Sequence, residues 1–426
     1  MCDSVVATGA HTASGATLFA KNSDRKEGEC QPFVQFPAAY HPRGSTVDAT
    51  HISIPQVAET YRVMGHSPWW IWGFEQGVNE HGVAIGNQTV FSKESVEPEP
   101  GLIGMDLVRL GLERGRDARE SLEMIAALIE THGQGGAAFA PGEGGYHNSF
   151  MIADPEQAWV LETSGRRWAA RQVELDALSN QLTLGSDWQI GSRDLESFAR
   201  SEGWWRSSGR LDVAAAYRNP DALHIARARL ERTRELLGSE RGRHDVPSLE
   251  RLLRDHRSGG IAPPADLTAE DPGYFTVCMH AEPVGTTTAS LIAPLPTDRT
   301  TPWPVWVSFG TPCIGLFVPL YLDGAIPAVL AGGGERFEED SAWWVFERLR
   351  LAAAGDFTRH TPVLREGWSV LEEKIDHERR EVEAEARAVA VTGDRDEAGA
   401  LLTAFMGRTV ASTLDRAEEL RARIAS

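Results

Sequence analysis

The chain begins Met1-Cys2, and the stretch from residue 2 to residue 25 has the pattern of a β-hairpin with Cys2 at its outer end. Residues 4–7 and 17–20 form two short runs on either side of a turn rich in glycine, threonine and serine. The second run continues into a polar cluster, residues 21–25, and an antiparallel return brings that cluster back beside Cys2. The pattern therefore predicts a thiol at one end of a sheet, with polar and charged neighbours.

Cys2 carries both a thiol and a free α-amine if Met1 is removed, as we expect before a small residue. An α-amine titrates near about 7.7–8 and a thiol near about 8.5, so the two groups can exchange a proton around neutral pH. The amine can then act as the base for its own side chain, and Asp24 is suited to orient the ammonium. On position alone, we favour the alternative that Cys2 is an ordinary cysteine and Asp24 an exposed turn residue.

The charge, the cysteines and the apolar runs of the sequence indicate which binding partners and which cellular compartment to expect. The 426 residues carry 61 acidic and 42 basic side chains, a net charge of −19 that argues against nucleic acid or an anionic membrane as partner. The cysteines, Cys2, Cys30, Cys278 and Cys313, lie far apart without metal-binding spacing, so we expect neither a disulfide framework nor a zinc site. We find no signal-peptide pattern and no apolar run of about eighteen residues, and expect a cytoplasmic protein.

An aromatic patch at residues 67–75 contains Trp69, Trp70 and Trp72. We expect at least one of these tryptophans to pack in the core, and the others could wall a substrate pocket. A turn and a short strand follow, and that strand is predicted to end at Asn87. An amide at the end of a strand is a plausible oxyanion donor, although most such asparagines only cap turns.

Strand-rich blocks at 2–90 and 148–184 flank a helical stretch at 103–132, which predicts sheets sandwiched by helices in an α+β fold. A helix at 221–237 carries several arginines, one of which could turn inward as a carboxylate clamp. The last third, from residue 341, is helical and highly charged, and we interpret it as a helical cover.

Residues 275–280 and 286–292 are patterned as paired strands. Cys278 and His280 would then share one face of a strand, an arrangement that could form a second Cys/His nucleophile pair. Buried cysteines are usually inert packing, and we favour that interpretation here.

Several separated stretches, in a fixed order, carry a resemblance to a known family: Met1-Cys2-Asp3, FAKNSDR at 19–25, FPAAYHPRGS at 36–45, SPWWIWGFEQGVNEHGVAIGNQ at 67–88, SFMIADPEQAWVLETSGRRWAA at 149–170, ALSNQL at 177–182, VCMH at 277–280 and TTTAS at 286–290. Together they resemble the cysteine dipeptidases of the N-terminal-nucleophile (Ntn) hydrolase superfamily, and most closely the secernin branch. The resemblance extends over most of residues 1–350.

The resemblance implies an αββα sandwich of the Ntn-hydrolase type, with the nucleophile at the outer end of the first strand. It also implies that the Cys2 thiolate attacks a peptide carbonyl, that the α-amine shuttles the proton, and that water hydrolyses a thioester intermediate. The acid beside the amine matches Asp24, and two asparagines steady the nucleophile and the oxyanion. The resemblance assigns catalytic roles to these residues, with Arg229 as a competitor for the last: Cys2, Asp24, Asn87, Asn180 and Arg227.

The resemblance also divides the chain into an Ntn-hydrolase-like domain, 2–350, and a charged helical C-terminal extension that packs on it, 351–426. Related bile-salt and penicillin-V acylases carry an arginine three residues before the acid, where this chain has Lys21. An ammonium and a guanidinium are not interchangeable at such a site, so Lys21 weakens an acylase assignment. We expect substrate contacts from these side chains: Lys21, Trp69, Trp70 and Trp72.

The predicted function is therefore that of a cysteine hydrolase that cleaves dipeptides or similar small amides. The alternatives are a secernin-like, non-catalytic regulatory protein and an N-acyl amidase related to the acylases. The expected partner is a small peptide or amide, a homo-oligomer is compatible with this reading, and the implied mechanism needs no metal or organic cofactor.

Overall fold

The structure, a computed structural model, describes residues 1–97, 99–257, 260–263, 267–271, 273–298 and 300–425, and of residues 222–224 only the backbone. The strands are β1 (Cys2–Ala7), β2 (Thr17–Arg25), β3 (Phe33–Phe36), β4 (Ala39–Tyr40), β5 (Thr46–Asp48), β6 (Ser53–Pro55), β7 (Glu59–Thr60), β8 (Val63–His66), β9 (Gln76–Asn79), β10 (Ala84–Val90), β11 (His147–Ala153), β12 (Ala158–Ser164), β13 (Arg167–Val173), β14 (Leu175–Leu178), β15 (Ile190–Gly191), β16 (His280–Ala281), β17 (Gly285–Leu295), β18 (Val305–Phe309) and β19 (Val318–Leu320). The helices are α1 (Gly104–Arg114), α2 (Ala118–His132), α3 (Leu195–Ser201), α4 (Val213–Tyr217), α5 (Leu223–Ser239), α6 (Val246–Leu253), α7 (Ala328–Ala331), α8 (Ala342–Ala353), α9 (Phe357–Val391) and α10 (Arg395–Ala425).

Two antiparallel sheets form the centre of the fold. The first has the strand order β14-β1-β2-β17-β18-β19, with β16 paired to β17, and the second has the order β15-β13-β12-β11-β10-β9-β8-β3. Strand β1 contacts β10 and β11, so the two sheets pack face to face. Helices α5 and α6 lie on the outer face of the first sheet, and α1 and α2 lie on that of the second. The predicted α+β fold, an αββα sandwich, is confirmed.

The hairpin of β1 and β2 shows why this sequence forms the inner layers. Successive side chains of a strand point to opposite faces of its sheet. Val6 and Phe19 accordingly face inward and belong to the core between the sheets. Val5 and Ala20 face outward and pack in the cluster beneath α5 and α6. Both faces of this hairpin are buried, which explains its nearly continuous apolar runs.

The helical stretch predicted at 103–132 is a pair of helices, with the break at Gly115. A Cβ atom added to Gly115 would lie 2.1 Å from Oγ of Ser121, so the close approach of α2 requires glycine at this position. Helix α2 starts at Asp117, whose side chain accepts a hydrogen bond from the backbone nitrogen of Glu120.

The C-terminal helices pack together and onto the edge of the first sheet. Helix α10 contacts α9, α8 and β19, and the buried Trp368 of α9 donates its indole N–H to the carbonyl of Ile314 at 2.7 Å. The domain boundary predicted at residue 350 falls within α8 (Ala342–Ala353), and the division at that point stays a prediction. Across the described residues, no helix is both long enough and apolar enough to span a bilayer.

Candidate active site

Cys2 begins β1, opposite Ser23 of β2, and is only 3% exposed. The strand alternation divides its neighbours between two faces of the first sheet. The Cys2 side chain shares the inner face with Lys21, which pairs two positions further along the hairpin. Asp3 and Asp24 lie on the outer face, toward α5. The thiol and Asp24, the acid predicted to serve it, therefore lie on opposite faces of the sheet, and the backbone nitrogen of Cys2 lies at the end of the strand.

A buried charged network surrounds the sulfur on the inner face. Lys21, fully buried, donates from Nζ to Oε2 of Glu75 at 3.3 Å and to Oε1 of Gln76 at 3.1 Å. The Cys2 thiol lies 3.8 Å from the same Glu75 oxygen. Arg25 completes the network, with Nη1 3.3 Å from Oε1 of Glu75. Two cations therefore share one carboxylate directly beside the candidate nucleophile.

These charges and the burial act on the thiol in opposite directions. Burial raises the pKa of the Cys2 thiol above its ordinary value, and the positive charge of Lys21 offsets part of that rise. Burial alone would raise the pKa of Glu75 too, but Lys21 and Arg25 outweigh it and hold this pKa below its ordinary value. At neutral pH the site therefore holds a protonated thiol beside an ionised carboxylate, and forming the thiolate requires a base.

On the outer face, Arg229 of α5 joins three of the polar groups. Its Nη1 donates to Asp3 and, at 3.2 Å, to Oδ2 of Asp24, and its Nη2 donates to Oδ1 of Asn180. Thr287 of β17 donates to the other Asp24 oxygen at 2.7 Å. Burial raises the pKa of Asp24 to about 6, with Arg229 lowering it and Asp3 raising it.

Asn180 reaches the backbone nitrogen of Cys2. Asn180 lies just beyond Leu178, where β14 ends, so the strand-rich block predicted to reach residue 184 does not include it in a strand. Its Oδ1 accepts from the Cys2 nitrogen at 3.1 Å, and its Nδ2 donates to the carbonyl of Thr89 at 2.9 Å. The two bonds fix the orientation of the amide, with its oxygen toward the chain end.

Asn87 lies in the middle of β10 rather than at its end. Its backbone nitrogen donates to the carbonyl of Glu75 at 3.4 Å, which places it next to the charged network. Its side-chain nitrogen donates to Oδ1 of Asn148 at 3.0 Å and to the sulfur of Met105 at 3.4 Å. Asn87 is thus adjacent to the site, and its amide donors already have partners.

Arg227 is the predicted site residue that the structure does not bring to the cluster. Its side chain is exposed, whereas Arg229 is 1% exposed and makes the contacts described above. Residues two apart on an α-helix point about 200° apart, so only one of the two arginines can face the sheet. Arg229 takes the position that we assigned to Arg227.

The tryptophans predicted to contact substrate, Trp69, Trp70 and Trp72, lie in different surroundings. Trp70 donates its indole N–H to Oε1 of Glu29 at 3.2 Å, and Glu29 in turn pairs with Arg25 of the charged network. The ring of Trp72 lies 3.9 Å from the guanidinium of Arg109 on α1, away from the inner face. Trp69 packs against the main core. Among these three, Trp70 has the contacts that a pocket wall beside Cys2 would need.

Sequence reasoning missed Glu75, Arg25 and Thr287. Glu75 and Arg25 lie inside the stretches quoted for the resemblance, but no spacing rule links position 75 to position 2. A signal was present for Glu75, since it is an acid directly after an apolar, aromatic run, where an exposed side chain is not expected. Thr287 sits in a strand that pairs with β2 from more than 260 residues away, and only the fold reveals that contact.

Fold and site together define the class of protein: a four-layer αββα protein with a buried first-strand cysteine set among ion pairs, its backbone nitrogen held by an asparagine. The chain belongs to Peptidase family C69, whose family model matches residues 1–223. The resemblance to cysteine dipeptidases, predicted from the sequence, is confirmed at this level.

Comparison with curated proteins and solved structures identifies similar chains. The chain is 29% identical over 208 residues to the dipeptidase of Bifidobacterium longum, a match covering 43% of this chain and 36% of that protein. It is 25% identical over 193 residues to probable dipeptidase B of Lactococcus lactis, covering 41% and 37%. The chain therefore spans little more than a third of the curated relatives it matches. Among solved structures, the C2A mutant of the conjugated bile acid hydrolase from Clostridium perfringens is similar at 13% identity and a TM-score of 0.42, over 72% of this chain and 89% of that one.

Proposed function

We propose that the protein is a cysteine-type hydrolase that cleaves dipeptides or similar small amides, with Cys2 as nucleophile once processing has removed Met1. The observation that carries this proposal is the hydrogen bond of 3.1 Å from the Cys2 nitrogen to Asn180. Removal of Met1 would convert that nitrogen from an amide into an amine on a residue that Asn180 already contacts. The amine is then held in place on the residue whose thiol it must deprotonate. The dipeptidase names of both relatives favour a peptide substrate.

In this mechanism the free amine accepts the proton of the thiol, and the Cys2 sulfur attacks the substrate carbonyl carbon. The tetrahedral intermediate collapses to a thioester as the amine returns the proton to the leaving nitrogen, and water then hydrolyses the thioester. Lys21 stabilises the thiolate, because its charge lowers the pKa of that thiol. Arg229 positions Asp24 and Asn180 around the amine. Asn180 steadies the nucleophile, because its Oδ1 accepts from the Cys2 nitrogen. Asn87 is the proposed oxyanion donor, a role that requires its amide to exchange its contacts with Asn148 and Met105 for the substrate.

The test combines intact mass, thiol labelling and a side-by-side substrate assay. We expect a mature chain that starts at Cys2, is labelled there by a thiol-reactive probe and hydrolyses dipeptides. Cys2→Ala should lose both labelling and hydrolysis. Cys30→Ala is the matched control, because Cys30 is also buried but contacts none of the groups around Cys2, and it should keep both.

The competing functions give different results in the same assay. Hydrolysis of N-acyl amino acids in place of dipeptides would make the protein an amidase. A blocked Cys2 amine in the mature chain, without hydrolysis of either substrate, would favour a non-catalytic regulator. Dipeptide hydrolysis that survives Cys2→Ala would remove the nucleophile assignment altogether. We place the activity in the cytoplasm, where reducing conditions keep the thiol free, with a homo-oligomer compatible with it.

A further inference from the structure

A second cluster of reactive side chains lies outside the Cys2 site. His256, Cys278, His280 and Cys313 each direct one nitrogen or sulfur atom to a common point, and these four atoms lie within 4.8 Å of one another. The residues come from three separate segments: His256 lies just after α6, Cys278 and His280 lie just before and at the start of β16, and Cys313 lies in the turn between β18 and β19. The strand predicted at 275–280 is wrong for residues 275–279, because β16 begins only at His280. His256, Cys278 and Cys313 are buried, and His280 is partly exposed.

The distances within this cluster match those of a tetrahedral metal site. A zinc ion with Zn–S bonds of about 2.3 Å and Zn–N bonds of about 2.0–2.1 Å holds sulfur and nitrogen about 3.6 Å apart. Nε2 of His280 lies 3.5 Å from the sulfur of Cys278 and 3.4 Å from that of Cys313. Two edges of the tetrahedron therefore already have the required length, and the others need only a modest contraction.

His256 provides an independent indication that a ligand belongs here. Its side chain is fully buried, yet neither ring nitrogen has a hydrogen-bond partner among the described residues. A buried polar group without a partner costs about 1–3 kcal/mol, so an imidazole is not expected to be left in this state. A metal ion would take one of these nitrogens as a ligand and remove the penalty.

We propose that these four side chains form a structural site for one zinc ion. Two thiolates and two neutral imidazoles are a ligand set that selects zinc, and they neutralise its charge, so the complex can be buried without an uncompensated charge. Four protein ligands fill the tetrahedral coordination and leave no position for substrate, which makes the site structural. We expected no zinc site because the cysteines are widely spaced, but that criterion does not detect ligands that only the fold brings together.

The site would stabilise the flank of the Cys2 network. Met279, between Cys278 and His280, donates its backbone N–H at 2.8 Å to Oγ1 of Thr287, which in turn donates to Asp24. The backbone nitrogen of Cys278 donates to the carbonyl of Asp255 at 3.1 Å, at the end of α6. A bound ion would therefore connect the segment after α6 and the β18–β19 turn to β17, whose Thr287 donates a hydrogen bond to Asp24.

The test uses the full chain, produced in zinc-supplemented medium and purified without chelator. Elemental analysis should find one zinc per chain, and Cys278→Ser and Cys313→Ser should each lose most of it. Cys30→Ser is the matched control, a buried cysteine outside the cluster that should keep the metal. Cys2→Ala should also keep the zinc, so the proposed zinc site is tested independently of the proposed hydrolase activity.

A second measurement does not depend on whether the variants fold. Wild-type protein stripped of metal and titrated with cobalt(II) should develop thiolate-to-cobalt charge-transfer absorption and the intense visible bands of tetrahedral cobalt, with saturation at one ion per chain. Absence of both zinc and the cobalt spectrum would overturn the proposal. So would a disulfide between Cys278 and Cys313, detected as two thiols that are alkylated only after reduction.

Discussion

Arg229→Gln is the substitution that probes the buried charges most directly. The guanidinium is 1% exposed and bonds Asp3, Asp24 and Asn180. Glutamine removes the positive charge but keeps a polar side chain. Arg227→Gln is the matched control, because it makes the same chemical change two positions earlier on α5, where the side chain is exposed.

The magnitude follows from the geometry of the pair. At the Arg229–Asp24 distance of 3.2 Å, Coulomb's law with an effective dielectric constant of about 20 gives an attraction of about 5 kcal/mol. Removal of the cation recovers part of its own desolvation penalty but leaves two carboxylates buried without it. Breaking buried pairs in this way costs about 3–5 kcal/mol. We expect that loss in the free energy of unfolding near pH 8, and a change within about 0.5 kcal/mol for Arg227→Gln.

The loss should depend on pH in a defined direction. The pKa of Asp24 is about 6 in the folded protein, above its ordinary value, so this group lowers stability as the pH rises toward 6. Without Arg229 that pKa rises further, because the guanidinium lowers it. As the pH rises above 6, the free energy of unfolding of the variant therefore continues to fall, whereas Asp24 no longer lowers that of the wild type. The difference between the two proteins should shrink as the pH is lowered toward 6 and be small below it, where Asp24 is protonated in both.

Urea unfolding at about pH 5 and about pH 8 measures this difference, and urea, unlike guanidinium chloride, does not screen charges. A deficit of the same size at both pH values would refute the electrostatic explanation and assign the effect to packing. An equal deficit in Arg227→Gln would show that the contacts of Arg229 do not carry it.

Three further predictions concern other parts of the molecule. Lys21→Met should raise the pKa of Cys2, because Lys21 lowers it, and should shift the acid limb of the thiol-labelling rate to higher pH; an unshifted limb would contradict the inner-face network. Asn180→Ala should lower kcat for dipeptides by about 10²-fold or more, because it releases the nitrogen that acts as the base, and a change in KM alone would remove that role. Trp368→Ala should cost about 3–5 kcal/mol in urea unfolding, as expected for a buried tryptophan that also leaves the Ile314 carbonyl unpaired, whereas a near-neutral effect would show that α9 contributes little to the core.

Local sequence patterns were sufficient to predict the sheets and helices of the sandwich, and the part of the candidate site that the β1–β2 hairpin carries. Alternation over residues 2–25 predicted the hairpin, and the antiparallel return alone placed Asp24 across from the chain end. The apolar period of 103–132 predicted the helical stretch that the structure divides into α1 and α2. These features depend on neighbours within about twenty residues, so the sequence carries them directly.

The remaining features depend on contacts between distant segments. Helical periodicity shows that Arg227 and Arg229 point in nearly opposite directions, but not which of them faces the sheet. Glu75 reaches Cys2 only because the two sheets pack face to face, which no spacing within either segment encodes. The ligands of the proposed zinc site span residues 256–313 and escaped detection for the same reason.

The numbers of buried acidic and basic side chains around Cys2 bear on the chemistry proposed for the start of the chain. The side chains of the two networks that are at most 7% exposed comprise four acids and three bases: Asp3, Asp24, Glu29 and Glu75, with Lys21, Arg25 and Arg229. An α-ammonium would supply a further positive charge, and in the proposed processing this charge passes from the Met1 nitrogen, bonded to the Asp24 carbonyl, to the Cys2 nitrogen beside Asn180. Burial is the main cause of the raised pKa of the Cys2 thiol, and the charge of Lys21 offsets part of it. The proposed mechanism therefore requires a base that can reach the buried thiol, and it assigns that role to the Cys2 nitrogen beside Asn180.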